Sequence, residues 1–457
     1  MGRAAIVVAV ADDDTRQVYR AVDLALRVGE VVLASGAGAA DVYAAVLNVT
    51  RACGLRSVQV DINFTTITVS HQTEAEEAPQ TYVRTVTYRG LDYGLLTEVD
   101  LLVRSLAQGD IDPPAVSKRL NELRSAPRRY PRWVAAGSTG LMATGVALLL
   151  QGSLLVIAIS FGTAILIDVV VRQLTLRRIP AFYHRVAGAF VATAVAHGLF
   201  LLDVALAPSV IVASGIVVLL AGITLVGAVQ DALTGYYVTA SARTFEALLL
   251  TGGIIAGVSL GITIGLELGL QLPLNARASA GIEDLPLGLL GGTLVSVGFA
   301  LSCYAPLRSL GPVAAVGFAA QLAYLLLAAT GAGAAWSSTV AGVVVGVASF
   351  SLAGRVRVPP LVVVVSGIVG LLPGLSIYRG LFQLLTNNDV GGLFPLLTAG
   401  SVSVGLASGV LLGEYVAQPL KREARRLENR LAGPRLVGML RPPTRRERRR
   451  RSAPAGD

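Results

Sequence analysis

The chain has 457 residues, a mean hydropathy of +0.65 and 15% charged residues, which is too long for one ordinary domain and too apolar for a soluble protein. Its net charge of +9 is local, because residues 419–457 alone hold 13 Lys and Arg against 4 Asp and Glu. The two cysteines, Cys53 and Cys303, stand 250 positions apart and exclude both a disulfide framework and a cysteine-based zinc site.

The first 130 residues predict a small cytosolic α/β domain. The opening M-G-R-A-A-I-V-V-A-V-A-D-D-D has an apolar run at the short end for a secretory leader and leads straight into three acids, so a mature cytosolic start is expected. Thr15 to Ala34 places Val18, Ala21, Val22, Ala25, Val28 and Val32 on one helical face. Ser35-Gly36-Ala37-Gly38 breaks that helix, and Ala40 to Cys53 forms a second one ended by Gly54. The period then changes to two over Ser57–Ile62, Thr65–Ser70 and Thr81–Tyr88, as in half-buried antiparallel strands. Helices over Tyr93–Gln108 and Pro113–Arg124 complete an ααβββαα order. His71 reads as a solvated strand end rather than a metal or catalytic ligand. Gly36-x-Gly38 lies between two helices and not after a strand, so it reads as a helix–helix turn and not a nucleotide loop.

From residue 133 onward the chain predicts ten membrane helices. Trp133 to Ile167 carries no charge and is too long for one span of about 20 residues, so it folds as a hairpin broken at Gln151-Gly152-Ser153. The same reasoning places spans at 133–150, 154–171, 186–203, 209–229, 245–267, 286–305, 311–329, 335–353, 359–378 and 391–417. Basic residues alternate between loops. Arg128, Arg129 and Arg132, then Arg172, Arg177, Arg178 and Arg185, then Arg243, Arg308, Arg355 and Arg357 fall on one side, whereas the other holds Arg277 and Arg379. The positive-inside rule then puts both termini in the cytosol.

An internal repeat divides these spans. S-G-I-V-x-L-L-x-G occurs at Ser214–Gly222 and again at Ser366–Gly374, an offset of 152, and Thr251, Gly253 and Glu267 match Thr398, Gly400 and Glu414 at an offset of 147. Five spans per half is an odd number, so the halves are expected to be inverted, over 131–270 and 271–418. That arrangement is typical of secondary transporters.

Ionisable groups inside such a region are functional candidates by default. The densest set is D-A-L-T-G-Y-Y-V-T-A-S-A-R-T-F-E at 231–246, with Asp231, Thr234, Gly235, Thr239, Arg243 and Glu246. Two readings stay open. One is a solvated loop with an Arg243–Glu246 pair; the other is a broken helix in which Asp231 and Arg243 engage the ammonium and carboxylate of a zwitterion. Pro373-Gly374 interrupts the ninth span and aligns with Ala221-Gly222, so a kink in both halves is expected, either structural or at a substrate site. Glu414 and Glu267 are proton-relay groups or interfacial ends. Asp168 either pairs with Arg172 one turn on or faces the pathway. His197 reads as a packing or hydrogen-bonding residue that could titrate, and Asp203 as an outer-interface residue. The basic tail, R-R-E-R-R-R-R included, reads as a disordered segment attracted to anionic lipid rather than to nucleic acid.

The chain resembles the threonine/serine exporter family of bacterial inner-membrane proteins. The likeness rests on A-L-R-V-G-E-V-V-L-A-S-G-A-G-A-A-D-V, A-C-G-L-R-S-V-Q-V-D and T-I-T-V-S early in the chain, on the 231–246 stretch, and on L-L-P-G-L-S-I-Y-R-G at 371–380. It implies export of small amino acids driven by the membrane potential or a proton gradient, with Asp231, Gly235, Arg243, Glu246, Pro373, Gly374 and Tyr378 as motif residues. A two-subunit branch of the same family resembles a dicarboxylate exporter. No cofactor or metal is expected, and no enzyme constellation is visible. A membrane sensor with a ligand-binding cytosolic domain is the alternative from another class, and homo-oligomerisation is left open.

Overall fold

The computed structural model describes the chain except for residues 1, 56, 73–77, 88–89, 128, 202–207, 221, 271–283, 387–389 and 432–457. Helices α1 (Gly2–Ala34) and α2 (Ala39–Ala52) precede the strands β1 (Val58–Asn63), β2 (Thr66–His71) and β3 (Gln80–Thr85), followed by α3 (Tyr93–Gln108) and α4 (Pro113–Ser125). The strands form an antiparallel sheet in the order β1-β2-β3, with Ile62 opposite Ile67 and Val60 opposite Val69. Alternation along β2 turns Ile67, Val69 and His71 inward. They meet the apolar stripes of α1 and α2, where Val22, Ala25, Val28, Val42 and Val46 are buried. Arg84 on β3 ties the sheet to α1 through Glu30 at 2.8 Å. His71 is not the solvated strand end expected: it is buried, and its Nδ1 lies 2.8 Å from the Ser57 carbonyl, because the strand's inward phase ends on it.

The remaining helices are α5 (Arg132–Leu149), α6 (Leu154–Leu176), α7 (Ala181–Leu201), α8 (Pro208–Val217), α9 (Gly222–Leu233), α10 (Tyr237–Glu267), α11 (Leu285–Ser302), α12 (Leu307–Ala329), α13 (Ala334–Val356), α14 (Pro360–Ile368), α15 (Gly374–Thr386) and α16 (Leu393–Leu431). Among the described residues, seven helices are long and apolar enough to cross a membrane, or nine if two bent pairs each count as one span. Of the ten expected spans, α5 is the one outside that set; it begins on Arg132 and is diluted by glycine, serine and threonine. Residues 419–431, expected to be disordered, continue α16 as helix, in keeping with their many strong helix formers. Asp203, Arg277 and residues 432–457 lie outside the described residues.

The packing order within residues 132–267 is matched within 285–417. In the first stretch α6 lies on α7 and α8, α7 on α10, and α9 on α10. In the second, α12 lies on α13 and α14, α13 on α16, and α15 on α16. Helices α5 and α11 pack on each other, α9 reaches α16, and α10 reaches α15. Small residues permit these approaches. A Cβ at Gly346 of α13 would run into the Val410 carbonyl of α16 and stand 2.9 Å from the Glu414 amide.

Both repeat copies are bent. The chain turns by 48° between α8 and α9, and by 45° between Pro360–Leu371 and Gly374–Gly380. In the second copy a 3-10 turn, Val369–Leu371, ends α14, and Pro373, which has no N–H, prevents the helical ladder from resuming directly. The two bends touch. A Cβ at Gly222 would meet Leu372 Cβ at 3.0 Å, and one at Gly374 would meet Leu220 Cδ1 at 2.8 Å. Gly222 and Gly374, equivalent in the repeat, are seated on each other's helix breaks.

Replacing Gly346 by Val is therefore expected to destabilise the protein by about 1–3 kcal/mol through overpacking of backbone against backbone. Gly162→Ala, where a Cβ would meet nothing within 4 Å, is expected to be neutral or stabilising by up to about 1 kcal/mol. Thermal midpoints of the two variants in detergent check the contrast.

Candidate functional site

The polar centre of the molecule lies where α9 turns into α10. Helix α9 ends at Leu233, and Gly235, at φ +93°, makes the turn that lets α10 start at Tyr237. This geometry brings Asp231, in the last turn of α9, against Arg243, in the second turn of α10. Their charged atoms are 2.7 Å apart, and the residues are 1% and 5% exposed. Arg243 therefore pairs with Asp231, and the Glu246 charge instead acts on Arg185 of α7.

The pair is completed by the N-terminal helices and sheet. Asp231 Oδ1 accepts a hydrogen bond from the Ala39 amide at 2.8 Å, and Arg243 Nη2 donates to the Ala37 carbonyl at 2.9 Å. Gly38 occupies the N-cap of α2 and has no side chain to cap it, and Asp231 satisfies the free amide of Ala39, the first residue of the helix. Its negative charge also suits the positive end of the α2 dipole. One turn along α10, Thr239 Oγ1 accepts from the Phe64 amide at 3.0 Å and lies 3.2 Å from the Ile62 carbonyl, both at the β1–β2 hairpin. The turn Ser35–Gly38 and that hairpin thus grip the start of α10.

Two acids flank this joint. Asp41, in the first turn of α2, and Glu414, on α16, are close enough for their charges to interact. The backbone of Glu414 packs on Gly346. Asp41 remains accessible to water yet is crowded by protein on most sides. That loss of hydration, with the Asp231 charge, raises its carboxyl above the ordinary range, against a Gly38 backbone bond and the Arg243 charge.

A cavity of about 1390 Å³ opens beside the joint. It runs from Glu30, Ser35 and Arg124 to the two helix breaks, where Leu220, Gly222, Gly370 and Gly374 line it. Asp168 lines its wall together with Arg172, whose charge acts on it.

The structure thus brings Asp231 and Arg243 together, places Pro373 and Gly374 at the break, and sets Asp168 on the cavity. Tyr378 of α15 packs on the apolar cluster of Ile167, Ile216 and Ile254. Thr234 is exposed, and its hydroxyl donates to the Gln230 carbonyl at 2.9 Å, capping α9. His197 is buried on α7 with its Nδ1 3.0 Å from the Thr193 carbonyl, and its ring fills the space over Gly265. Sequence reasoning missed Ala37, Ala39, Asp41 and Phe64. Ala37 and Ala39 sit at the Ser35–Gly38 turn and Phe64 at the β1–β2 hairpin, and all three bond through their backbone, so they carry no side-chain motif.

Asp231→Ala leaves a buried, unpaired guanidinium and is expected to cost about 3–5 kcal/mol. The double variant with Arg243→Leu is expected to recover part of that loss, a non-additivity that a thermal double-mutant cycle measures. Because the Asp41 carboxyl binds its proton more readily folded than unfolded, it favours unfolding above its folded-state pKa, and stability rises as pH falls through that value. Asp41→Asn is expected to flatten this part of the midpoint–pH curve; an unchanged curve would place the proton elsewhere.

Two family profiles match in succession: a threonine/serine exporter profile over residues 23–265, and one described as "Threonine/Serine exporter, ThrE" over residues 289–416. The chain is 38% identical over 433 residues to the "Probable threonine/serine exporter" of Mycobacterium tuberculosis, covering 92% of this chain and 81% of that protein. It is 37% identical over 420 residues to the "Threonine/serine exporter" of Corynebacterium glutamicum, covering 90% and 85%. The "Probable succinate transporter subunit YjjP" of Escherichia coli is 28% identical over 238 residues, covering 52% of this chain and 91% of that one. No solved structure matches. With matches along most of its length and its series of long apolar helices, this multi-pass membrane protein belongs to the threonine/serine exporter family.

Proposed function

We propose that the chain is a secondary exporter of small amino acids such as threonine and serine, coupled to protons and placed in the bacterial inner membrane. In this reading residues 131–270 and 271–418 are two inverted five-helix halves, residues 1–130 are a cytosolic domain, and both termini are cytosolic. The observation that carries it is the seating of Gly222 and Gly374 on each other's helix breaks. Paired interruptions at corresponding positions of two repeats are the best sequence pointer to a transport site, and irregular backbone at membrane depth is tolerated where it is buried in protein or lines a water-filled cavity. The names of the relatives matched along most of their length supply the substrate class.

The Asp231–Arg243 pair is read as a latch. While it is closed, the N-terminal helices and sheet sit over the mouth of the cavity and the two charges satisfy one another. A zwitterion offers a carboxylate to Arg243 and an ammonium to Asp231, so it can replace each partner without leaving a bare buried charge. Protons are the proposed coupling ion because the chain has no nucleotide-binding loop and its acids Asp41, Asp231 and Glu414 gather at this joint.

A second reading keeps the transport and changes the cargo. Relatives named as succinate transporter subunits match about half of this chain, and Arg243 would then anchor a dicarboxylate.

In proteoliposomes given a pH gradient, labelled threonine is expected to move through the wild type and not through Asp231→Asn, with the variant still folded by size exclusion. Undiminished movement through the variant would remove Asp231 from the mechanism. Succinate movement without threonine movement would select the second cargo.

A further inference from the structure

We propose that Gln321 reads the side-chain hydroxyl of the transported amino acid, from a recess behind the second helix break. The proposal rests on the export reading and deepens it by naming the contact that selects a hydroxylated substrate.

Gln321 projects from α12 and is 5% exposed, and its Oε1 is buried without a hydrogen-bond partner among the described residues. Native interiors rarely leave such an atom unpaired, and each case calls for an explanation. Its surroundings are a cradle of three elements. A Cβ at Gly292 of α11 would stand 2.9 Å from Oε1, and one at Gly370 of the 3-10 turn would stand 4.0 Å from Oε1 and 3.5 Å from Gly292 Cα. At Gly292 the amide fills the glycine's place. At Gly370 a side chain would fit in ordinary contact, so packing does not demand a glycine there. Gly370 also lines the cavity, so the buried amide lies directly behind a glycine of the cavity wall.

The repeat gives the recess a counterpart. Gln321 stands fourteen residues after the first residue of α12, and Asp168 stands fourteen after the first residue of α6. Asp168 lines the same cavity. Nearby, the two copies differ in the same sense. Ser214 of α8 donates to Ser160 of α6 at 2.7 Å, whereas its repeat equivalent, Ser366 of α14, is buried with no partner among the described residues. At these equivalent positions the first half joins Ser214 to Ser160, and the second leaves the Gln321 amide oxygen and the Ser366 hydroxyl without a partner among the described residues.

The chemistry suits a hydroxyl. A carboxamide and a hydroxyl each donate and accept, so the pair is satisfied whichever way the amide is turned. A substrate with a methyl in place of the hydroxyl leaves the amide unpaired, and a site built to bond a hydroxyl rejects such an analogue far more strongly than an apolar pocket rejects an extra group.

The test uses the full chain in proteoliposomes, with unlabelled serine and alanine competing against labelled threonine. Wild type is expected to prefer serine over alanine by about tenfold or more. Gln321→Met, of similar size and unable to bond the hydroxyl, is expected to bring that ratio close to one by weakening serine and leaving alanine unchanged. Gly370→Val keeps Gln321 and covers it, and is expected to lower the ratio likewise; it decides the matter if Gln321→Met does not fold. Equal weakening of serine and alanine, or a preserved ratio in the folded variants, overturns the proposal. Wild type that moves threonine yet treats serine and alanine alike overturns it while leaving the export reading intact. Wild type that moves no labelled threonine overturns the export reading and this proposal with it.

Discussion

A helix can break inside an apolar medium only where something replaces the hydrogen bonds that the break removes. Here each break is buried in protein, packed against the other. The end of α8 and the start of α15 lie together, as do the end of α14 and the start of α9, because Gly222 and Gly374 leave room for Leu372 and Leu220. The helices that support each bend recur in the same order in both stretches, so the seam is held from both sides. The cavity ends on this seam, and the irregular backbone is thereby given the one kind of surrounding in which it is stable.

The second organising contact is the ion pair of Asp231 and Arg243. Desolvating two charges is costly, and the pair persists because its remaining bonding capacity is met by the Ala39 amide and the Ala37 carbonyl. The same bonds complete a helix end that Gly38 cannot cap. Stability of the α2 terminus and docking of the Ser35–Gly38 turn on α9 and α10 thus rest on one set of bonds, and whatever opens the pair loosens both.

Much of the fold was legible in the sequence because it depends on periodicity and punctuation. The helix over Tyr93–Gln108 is found where its pattern predicts, and the hairpin turn at Gln151–Ser153 falls between helices as expected. The bends at both repeat copies follow from Pro373-Gly374 and its aligned Ala221-Gly222. What escaped was long-range and carried by backbone. Nothing in A-S-G-A-G-A-A marks Ala37 and Ala39 as partners of residues about 200 positions away. His71 looked solvated because its burial depends on which face of the strand meets α1 and α2. Gln321 sits in an otherwise apolar run, and its isolation becomes informative only once Gly292 and Gly370 surround it.

The order of these contacts along the chain has a topological consequence. The bonds that tie Ala37, Ala39, Ile62 and Phe64 to α9 and α10 all precede the connection between Glu267 and Leu285, where the two family profiles are also separated. Tyr93 of α3, by contrast, docks beyond it on Phe299 and the Cys303 carbonyl. Dividing the polypeptide at that connection would leave the joint whole within one product. The seam between Gly222 and Gly374 would become the interface between two subunits, and its complementarity would then have to specify assembly as well as folding.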